Sequence, residues 1–507
     1  MARVPLEPAA MDRPRNCAPP CGKILARCVA AIEGRELQAR PILYSEAYKR
    51  VVTLLLMAAY TFNSMDRSII SIIASPMKLD LELTDTELGL LGGTAFAVLY
   101  ALGGVPIARL AERINRVGII TAALIVWSGL TALCGAARTF PQLLLIRAGV
   151  GVAEAGCSPP AHSLISDYYE PSRRTSALSI YTCGISLGYI LAAVVGGYVA
   201  QHFGWRIACT TVGLPGVATA VLIRIFVREP PRGYSDASPP AAGGAPFSLR
   251  GEWRELRAVG KALLLDRPIL HMVLGVTIGA FAAYGFYAFV PPYFSRAFGL
   301  GFAAIGVVAA LSGGVAVGIG ILAGGFIADS LARRSARWYA LVPAVGGAIA
   351  LPVYLLALLE ADWKGATWAL SVAGFFQYAS LGPTFGVVQN AVGARRRATS
   401  TALLYICLSV IALGLGPVFT GWAIDRFAEG SMVSFSHRCP GGAALAGAPP
   451  AAEAACRRAL ALATRHGLNL TLAFFGWASL HYFLAAAGIE KSLRAATLRN
   501  AAAADPV

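Results

Sequence analysis

Twelve apolar segments, each long enough to cross a bilayer as a helix, most constrain how this chain can fold. About 20 apolar residues span the ~30 Å hydrocarbon core. Of 507 residues, 56% are hydrophobic and 14% are charged, against about 25% charged in a typical soluble domain. We therefore predict an all-α membrane protein whose transmembrane helices are 51–74, 87–108, 117–136, 141–165, 175–200, 206–226, 268–293, 302–327, 338–359, 366–390, 398–424 and 468–488.

The distribution of basic residues predicts the orientation and argues against nucleic acid as a partner. The net charge of +16 comes largely from short clusters between the apolar segments, such as Arg395–Arg397, and no basic patch interleaved with aromatic residues is present. Cytoplasmic loops carry such clusters. The loop 75–87 is acidic instead. We expect both termini and the central linker to be cytoplasmic, in an inner (plasma) membrane of bacterial type.

These segments divide the chain into two halves of six helices. We predict a disordered cytoplasmic tail, a first six-helix bundle, a polar cytoplasmic linker, a second bundle that includes an external loop at 425–467, and a second cytoplasmic tail. The boundaries are 1–44, 45–227, 228–265, 266–490 and 491–507.

A short motif recurs at the same place in both halves. It reads ARLAERINR at 108–116 and GFIADSLARR at 325–334. In each copy an acid follows a small residue by four positions and precedes an arginine by four, which places the three side chains on one helix face. The repeat indicates internal duplication.

The second copy resembles the loop motif of the major facilitator superfamily, G-x-L-A-D-R-x-G-R-R. The first copy departs from it at Ala108, Glu112 and Asn115 but keeps the charges. The resemblance implies a major facilitator fold of two pseudo-symmetric six-helix bundles with cytoplasmic gating motifs. The gating residues would be Glu112, Arg113, Arg116, Asp329, Arg333 and Arg334.

A narrower resemblance rests on two helices. Residues 60–67 read YTFNSMDR and residues 147–162 read RAGVGVAEAGCSPPAH. Together they resemble the Spinster family, including its bacterial members. This resemblance implies proton-coupled transport of amphiphilic lipids such as lysophospholipids or sphingosine phosphate. It also implies that Asp66 and Glu154 match the acidic residues of helices 1 and 4.

Four charged side chains lie well inside predicted membrane helices, away from their ends. An ionisable group near mid-bilayer costs about 2.5–3.5 kcal/mol, so such residues usually face the interior of the bundle and mark an ion or substrate path. Adjacent residues on a helix point about 100° apart, so Asp66 and Arg67 each need another partner. We expect Asp66 and Glu154 to carry protons. Arg67 would shift their proton affinity or hold an anionic head group, and Arg147 would serve coupling or helix packing.

Weakly polar residues of helices 1, 7 and 10 are candidates for lining the cavity, although packing is an equally good explanation for each tyrosine. They are Tyr60, Asn63, Tyr284, Tyr287, Gln377, Tyr378 and Thr384. The second half carries little charge, which suits an amphiphile whose head meets Arg67 and whose tail meets helices 7 and 10.

The remaining expectations concern the external loop and the class of protein. Cys439 and Cys456 share that loop and are candidates for a disulfide in an oxidising periplasm. No ATPase motif, nucleophile–base pair or metal cluster stands out, so we predict a monomeric secondary transporter driven by a proton gradient, without cofactor or metal, rather than an enzyme. Alternative substrates are small organic anions, sugar acids or drugs, and a remote alternative is a non-transporting membrane sensor.

Overall fold

The computed structural model describes residues 44–111, 114–231, 234–235, 249–392, 397–432, 434–445 and 447–502, and within them every regular element is a helix. Two compact units are separated, Met1–Tyr48 and Lys49–Val507. All contacts discussed below lie within the second unit. The predicted disordered tail at 1–44 lies almost entirely outside the described residues.

The first half consists of short and long helices separated by tight turns. They are α1 (Glu46–Ile72), α2 (Ala74–Asp80), α3 (Asp85–Gly92), α4 (Thr94–Ala111), α5 (Arg116–Cys134), α6 (Phe140–Glu154), α7 (Ser158–Tyr168), α8 (Pro171–Thr182), α9 (Gly184–Leu191), a π-helical turn Ala192–Gly196, α10 (Gly197–Phe203) and α11 (Trp205–Phe226). Thr84 and Glu87 form a capping box at the start of α3, which fixes where that helix begins.

The second half repeats this arrangement after a helix in the linker. Its elements are α12 (Leu249–Leu264), α13 (Arg267–Phe298), α14 (Phe302–Ala309), a π-helical turn Ala310–Val315, α15 (Ala316–Ala332), α16 (Trp338–Leu359), α17 (Trp363–Tyr378), α18 (Leu381–Asn390), α19 (Arg397–Ile406), a π-helical turn Cys407–Leu413, α20 (Gly414–Ser431), α21 (Phe435–Arg438), the 3₁₀ turn Pro440–Gly442, α22 (Pro450–Ala486) and α23 (Ile489–Ala502).

Nine of the twelve predicted segments correspond to helices in the described residues that are long and apolar enough to span a membrane. The other three are helices 1, 4 and 10 of the prediction. Helix 1 carries a polar run, Asn63–Arg67, in its middle. Helix 4 is interrupted between α6 and α7, and helix 10 between α17 and α18, at matching places in the two halves. Polar or broken membrane helices are tolerated where they line a cavity inside the protein.

The structure adds helices to three regions that hydropathy left without them. Most of the predicted external loop 425–467 is helical, because α20 runs to Ser431 and α22 begins at Pro450. The first turns of α22 are rich in alanine but also contain charges, so helix propensity extends the helix beyond its apolar part. The linker contains α12, and the predicted tail 491–507 begins within α23.

Helices α3 and α20 pack closely through glycines, and this contact joins the two halves. A Cβ added at Gly89 would lie 2.4 Å from the carbonyl oxygen of Pro417, whereas one added at Gly92 would meet nothing within 4 Å.

We expect Gly89→Ala to destabilise the protein by about 1–3 kcal/mol through overpacking. Thermal melting in detergent would show this as a lower midpoint. Gly92→Ala, on the same helix, is the matched control and should melt no lower than the parent; equal midpoints for both variants would contradict the prediction.

Candidate functional site

Helices α1 and α6 bring the four predicted charges together as two ion pairs. Arg67 Nε lies 2.6 Å from Glu154 Oε2, and Arg147 Nη1 lies 3.0 Å from Asp66 Oδ1. Thr131 on α5 donates a hydrogen bond to the second oxygen of Asp66. Neighbouring residues Asp66 and Arg67 thus each find a partner on another helix, and each acid on one helix pairs with an arginine on the other.

Burial distinguishes the two pairs. The side chains of Asp66 and Arg147 are 3% and 1% exposed, and Glu154 is fully buried, whereas 31% of the Arg67 side chain is exposed. The Arg67 guanidinium lies 4.7 Å from the ring centroids of both Phe96 and Tyr100 on α4. Cation–π contacts of this kind hold a guanidinium in place without using its N–H groups. Arg67 is therefore the one member of the four whose side chain is both held in position and partly exposed, although its Nη2 atom is buried.

Several polar atoms of this cluster lack a hydrogen-bond partner within the described part of the chain. They are Asn63 Oδ1, Arg67 Nη2, Arg147 Nε and Glu154 Oε1. Asn63 uses its amide nitrogen to donate to Glu154 Oε2 at 2.9 Å. Buried polar groups are almost always paired, so a group of such atoms at one place needs an explanation, such as a proton or a bound group that this site accepts.

The tyrosines that were predicted to line the cavity do not form one group. Tyr60 stacks on Tyr181 with ring centroids 4.5 Å apart, and Tyr284 is exposed. Tyr287 and Tyr378 belong to an aromatic cluster of the second half, in which the hydroxyls of Tyr287 and Tyr354 are 3.1 Å apart.

Two candidates on helix 10 are buried in packing. Thr384 is completely buried and bonds to Tyr482 at 3.0 Å and to the carbonyl of Ser380, so the prediction that it lines a cavity is wrong. Gln377 is also buried, beside the backbone of Gly279. Thr384 is thus satisfied by its neighbours rather than by solvent.

The predicted gating motifs are only partly described. Glu112 and Arg113 lie outside the described residues. Arg116 is buried and pairs with Asp167 and Glu229, at 2.5 and 2.6 Å. In the second copy Asp329 accepts a hydrogen bond from Tyr339 at 3.1 Å. Arg333 and Arg334 are exposed, and no ion pair joins either of them to Asp329 among the described residues.

Sequence reasoning missed a second charged cluster, which lies at the end of the helices opposite the gating motifs. Asp85 is completely buried; its carboxylate lies 2.6 Å from both Lys78 Nζ and Arg296 Nη2. Asp425 accepts from the backbone amides of Asp85 and Thr86 at 3.0 and 2.8 Å. The acidic segment 75–87 and the single arginine near the end of α13 were the available signals.

This cluster, Lys78–Asp85–Arg296–Asp425, links the first half to the second. Lys78 and Asp85 belong to α2 and α3, whereas Arg296 and Asp425 belong to α13 and α20. Burial lowers the pKa of Lys78, and the neighbouring carboxylate of Asp85 opposes that shift. Two cations balance two carboxylates, so the two halves are joined at this end by a neutral, hydrogen-bonded network.

A disulfide lies at the same end. Cys439 and Cys456 are bonded at 2.08 Å with their Cα atoms 5.8 Å apart, and both are buried. The bond ties the start of α22 to the turn after α21.

Comparisons with known proteins agree with this architecture. Residues 56–433 match the family model described as Major Facilitator Superfamily. The structure is similar to a crystal structure of a bacterial homolog to the human lysosomal transporter Spinster in an inward-facing and unoccupied conformation. That similarity has a TM-score of 0.78 and 33% sequence identity, and it covers 89% of this chain and 99% of the other.

Curated relatives differ in what they transport. An MFS-type efflux pump of Mycolicibacterium smegmatis is 30% identical and covers 73% of this chain and 83% of its own. A hexuronate transporter of Bacillus subtilis is 25% identical, and the match covers 75% of this chain and 88% of that transporter. A sphingosine-1-phosphate transporter of Danio rerio is 28% identical, and the match covers 46% of this chain and 45% of that transporter. Because the family model spans most of the chain, the protein belongs to the major facilitator superfamily, as an integral multi-pass membrane transporter with Spinster-like structural neighbours.

Proposed function

We propose that this transporter moves an anionic amphiphile across the membrane by alternating access, driven by a proton gradient. The observation that supports this most is the pair of buried ion pairs between α1 and α6, with polar atoms left open beside an accessible Arg67. Ionisable groups at such a depth usually mark an ion or substrate path.

Glu154 and Arg67 would couple the proton to the substrate. Protonation of Glu154 removes the negative charge that holds the Arg67 guanidinium. Arg67 would then offer its N–H groups to a phosphate or carboxylate, which guanidinium recognises in bidentate geometry. Phe96 and Tyr100 would keep the guanidinium in position while its anionic partner changes. Asp66, paired with Arg147, would be the second proton carrier.

The apolar part of the substrate is inferred from the contrast between the two bundles. Charge is concentrated on α1 and α6, whereas the second bundle presents aromatic side chains, among them the exposed Tyr284 and Tyr405. An amphiphile could place its head at Arg67 and its tail along these rings. The Danio rerio relative is a sphingosine-1-phosphate transporter, and sphingosine-1-phosphate is an anionic amphiphile.

A small organic anion is the second candidate substrate. The hexuronate transporter covers more of this chain than the Danio rerio relative does, and a sugar carboxylate would also suit Arg67. Such a substrate would need hydrogen-bonding partners for its hydroxyls, and Asn63 Oδ1 is available for one of them.

Ligand-induced stabilisation of the detergent-purified protein would separate the two candidates. We expect lysophosphatidylglycerol to raise the melting temperature and galacturonate not to do so, with the effect lost in Arg67→Gln. Arg138→Gln changes an exposed arginine between α5 and α6; it is the control and should respond like the parent. Stabilisation by galacturonate alone, lost in Arg67→Gln, would replace the amphiphile with a sugar acid. No response to either compound would contradict both substrate proposals.

The orientation also remains our proposal. The basic clusters support a cytoplasmic location of both termini and the linker, in a cell with an inner membrane. The Cys439–Cys456 disulfide then faces the periplasm, an oxidising compartment in which disulfides persist. The Lys78–Asp85–Arg296–Asp425 network would accordingly be an external closure.

A further inference from the structure

A cavity of about 540 Å³ lies away from the ion pairs, where α5 begins and α11 ends. Its lining includes Asn115, Arg224, Ile225, Arg228 and Glu229. The candidate membrane span Arg116–Cys134 begins here and the candidate span Trp205–Phe226 ends here, which would set the cavity at the boundary between hydrocarbon and water. We propose that it binds the phosphate head group of an anionic phospholipid.

The first argument concerns charge. Glu229 is already engaged, since its carboxylate accepts from Arg116 Nε at 2.6 Å and from the amide of Val117 at 3.1 Å. Arg116 is shared with Asp167, so these three groups together carry one negative charge, which the two positive charges of Arg224 and Arg228 outweigh. The amide of Gly118 is likewise taken by the side chain of Asn115. The anion-binding capacity of the cavity therefore comes from the exposed guanidinium groups of Arg224 and Arg228, and Arg224 has no hydrogen bond or ion pair among the residues that the structure describes.

The second argument is that the cavity is preformed. The segment after α11 is fixed at three consecutive residues: Tyr168 donates to the carbonyl of Arg228, Arg116 pairs with Glu229, and Arg116 Nη2 donates to the carbonyl of Pro230 at 3.2 Å. Arg116 itself is 1% exposed. A site that is rigid before binding loses less conformational entropy when the ligand arrives.

The third argument selects a lipid. Ile225 lines the cavity and is 66% exposed, and Phe226 is 52% exposed, so apolar surface adjoins the two arginines. A phosphodiester between the arginines would leave its acyl chains against this surface. Basic pockets between transmembrane helices are known to suit anionic head groups, and the volume lies within the range of small-molecule sites, about 300–1,000 Å³.

Native mass spectrometry of the full-length protein in detergent, titrated with phosphatidylglycerol or phosphatidylcholine, tests the proposal. We expect phosphatidylglycerol to be retained preferentially. The double variant Arg224→Gln/Arg228→Gln should bind it about thirtyfold more weakly, because each basic side chain contributes roughly fivefold. The control Arg138→Gln/Arg457→Gln removes two exposed arginines elsewhere and should bind like the parent.

Three results would overturn the proposal. Equal losses in both double variants would indicate attraction by net charge alone. Equal retention of phosphatidylcholine would remove the role of the anion. Full competition by soluble glycerol phosphate would indicate a site for free phosphate esters. Glu154→Gln should retain phosphatidylglycerol like the parent, which keeps this test independent of the transport site.

Discussion

Glu154→Gln is expected to abolish proton-driven accumulation of substrate while leaving exchange of substrate across the membrane. Gln has the same size and can still accept hydrogen bonds from Arg67 and Asn63, which now meet Glu154 Oε2 at 2.6 and 2.9 Å. It cannot carry a proton. Coupling energies are typically worth 5–150-fold, so we expect accumulation to fall by about tenfold or more and exchange to change by less than about twofold.

Proteoliposomes with an imposed pH gradient, loaded with the labelled compound that stabilises the purified protein, provide the measurement. Glu229→Gln is the matched control, because Glu229 also pairs with an arginine but lies at the end of the helices. It should retain accumulation. If Glu154→Gln accumulates substrate as the parent does, Glu154 is not the coupling group, and if exchange is also lost the residue is needed for binding or folding instead.

Asp85→Asn is expected to open the end of the bundle that Lys78, Asp85, Arg296 and Asp425 close. The change leaves Lys78 and Arg296 buried without their shared carboxylate. Removing one partner of a buried ion pair costs about 3–5 kcal/mol. A bias of about 3 kcal/mol changes the ratio of two states by more than about 100-fold. The state in which α3 separates from α20 lets both cations reach water and should therefore become populated.

Distances between spin labels at Leu79→Cys and Leu462→Cys, in a background without free cysteines, would report this opening. Both positions are exposed, and they lie on α2 and α22, in different halves. The distance distribution should shift to longer values in Asp85→Asn. Asp80→Asn is the control, since Asp80 pairs with Arg206 within the first half and both side chains are partly exposed. An unchanged distribution in Asp85→Asn, or an equal shift in both variants, would contradict a role in closure.

Hydropathy and loop charge were enough for the fold class, because the bilayer imposes a fixed helix length on any chain that crosses it. The twelve predicted segments all correspond to helical regions, and nine meet the criteria of a span within the described residues. The three exceptions, helices 1, 4 and 10, are exceptions for a physical reason. They carry charged residues or are interrupted, and a membrane helix tolerates either feature only where it is buried in protein or lines a cavity.

The residues at which helices begin and end were less predictable than the existence of the helices. The alanine-rich start of α22 and the linker helix α12 have little hydropathy signal, because helix propensity does not require apolar residues. Thr384 was misplaced for a related reason: a threonine in a membrane helix can be satisfied by a neighbouring carbonyl or hydroxyl, here Ser380 and Tyr482, and then needs no cavity.

The sequence by itself determined that Asp66, Arg67, Arg147 and Glu154 lie well inside predicted membrane helices and that each needs a partner, because the cost of an isolated charge there is local and independent of the fold. Only the tertiary structure decided which acid meets which arginine, that Arg67 alone stays accessible, and that Lys78, Asp85, Arg296 and Asp425 meet across the two halves. Those contacts join residues up to 340 positions apart. Their distances depend on how whole helices pack, which no local pattern of residues records.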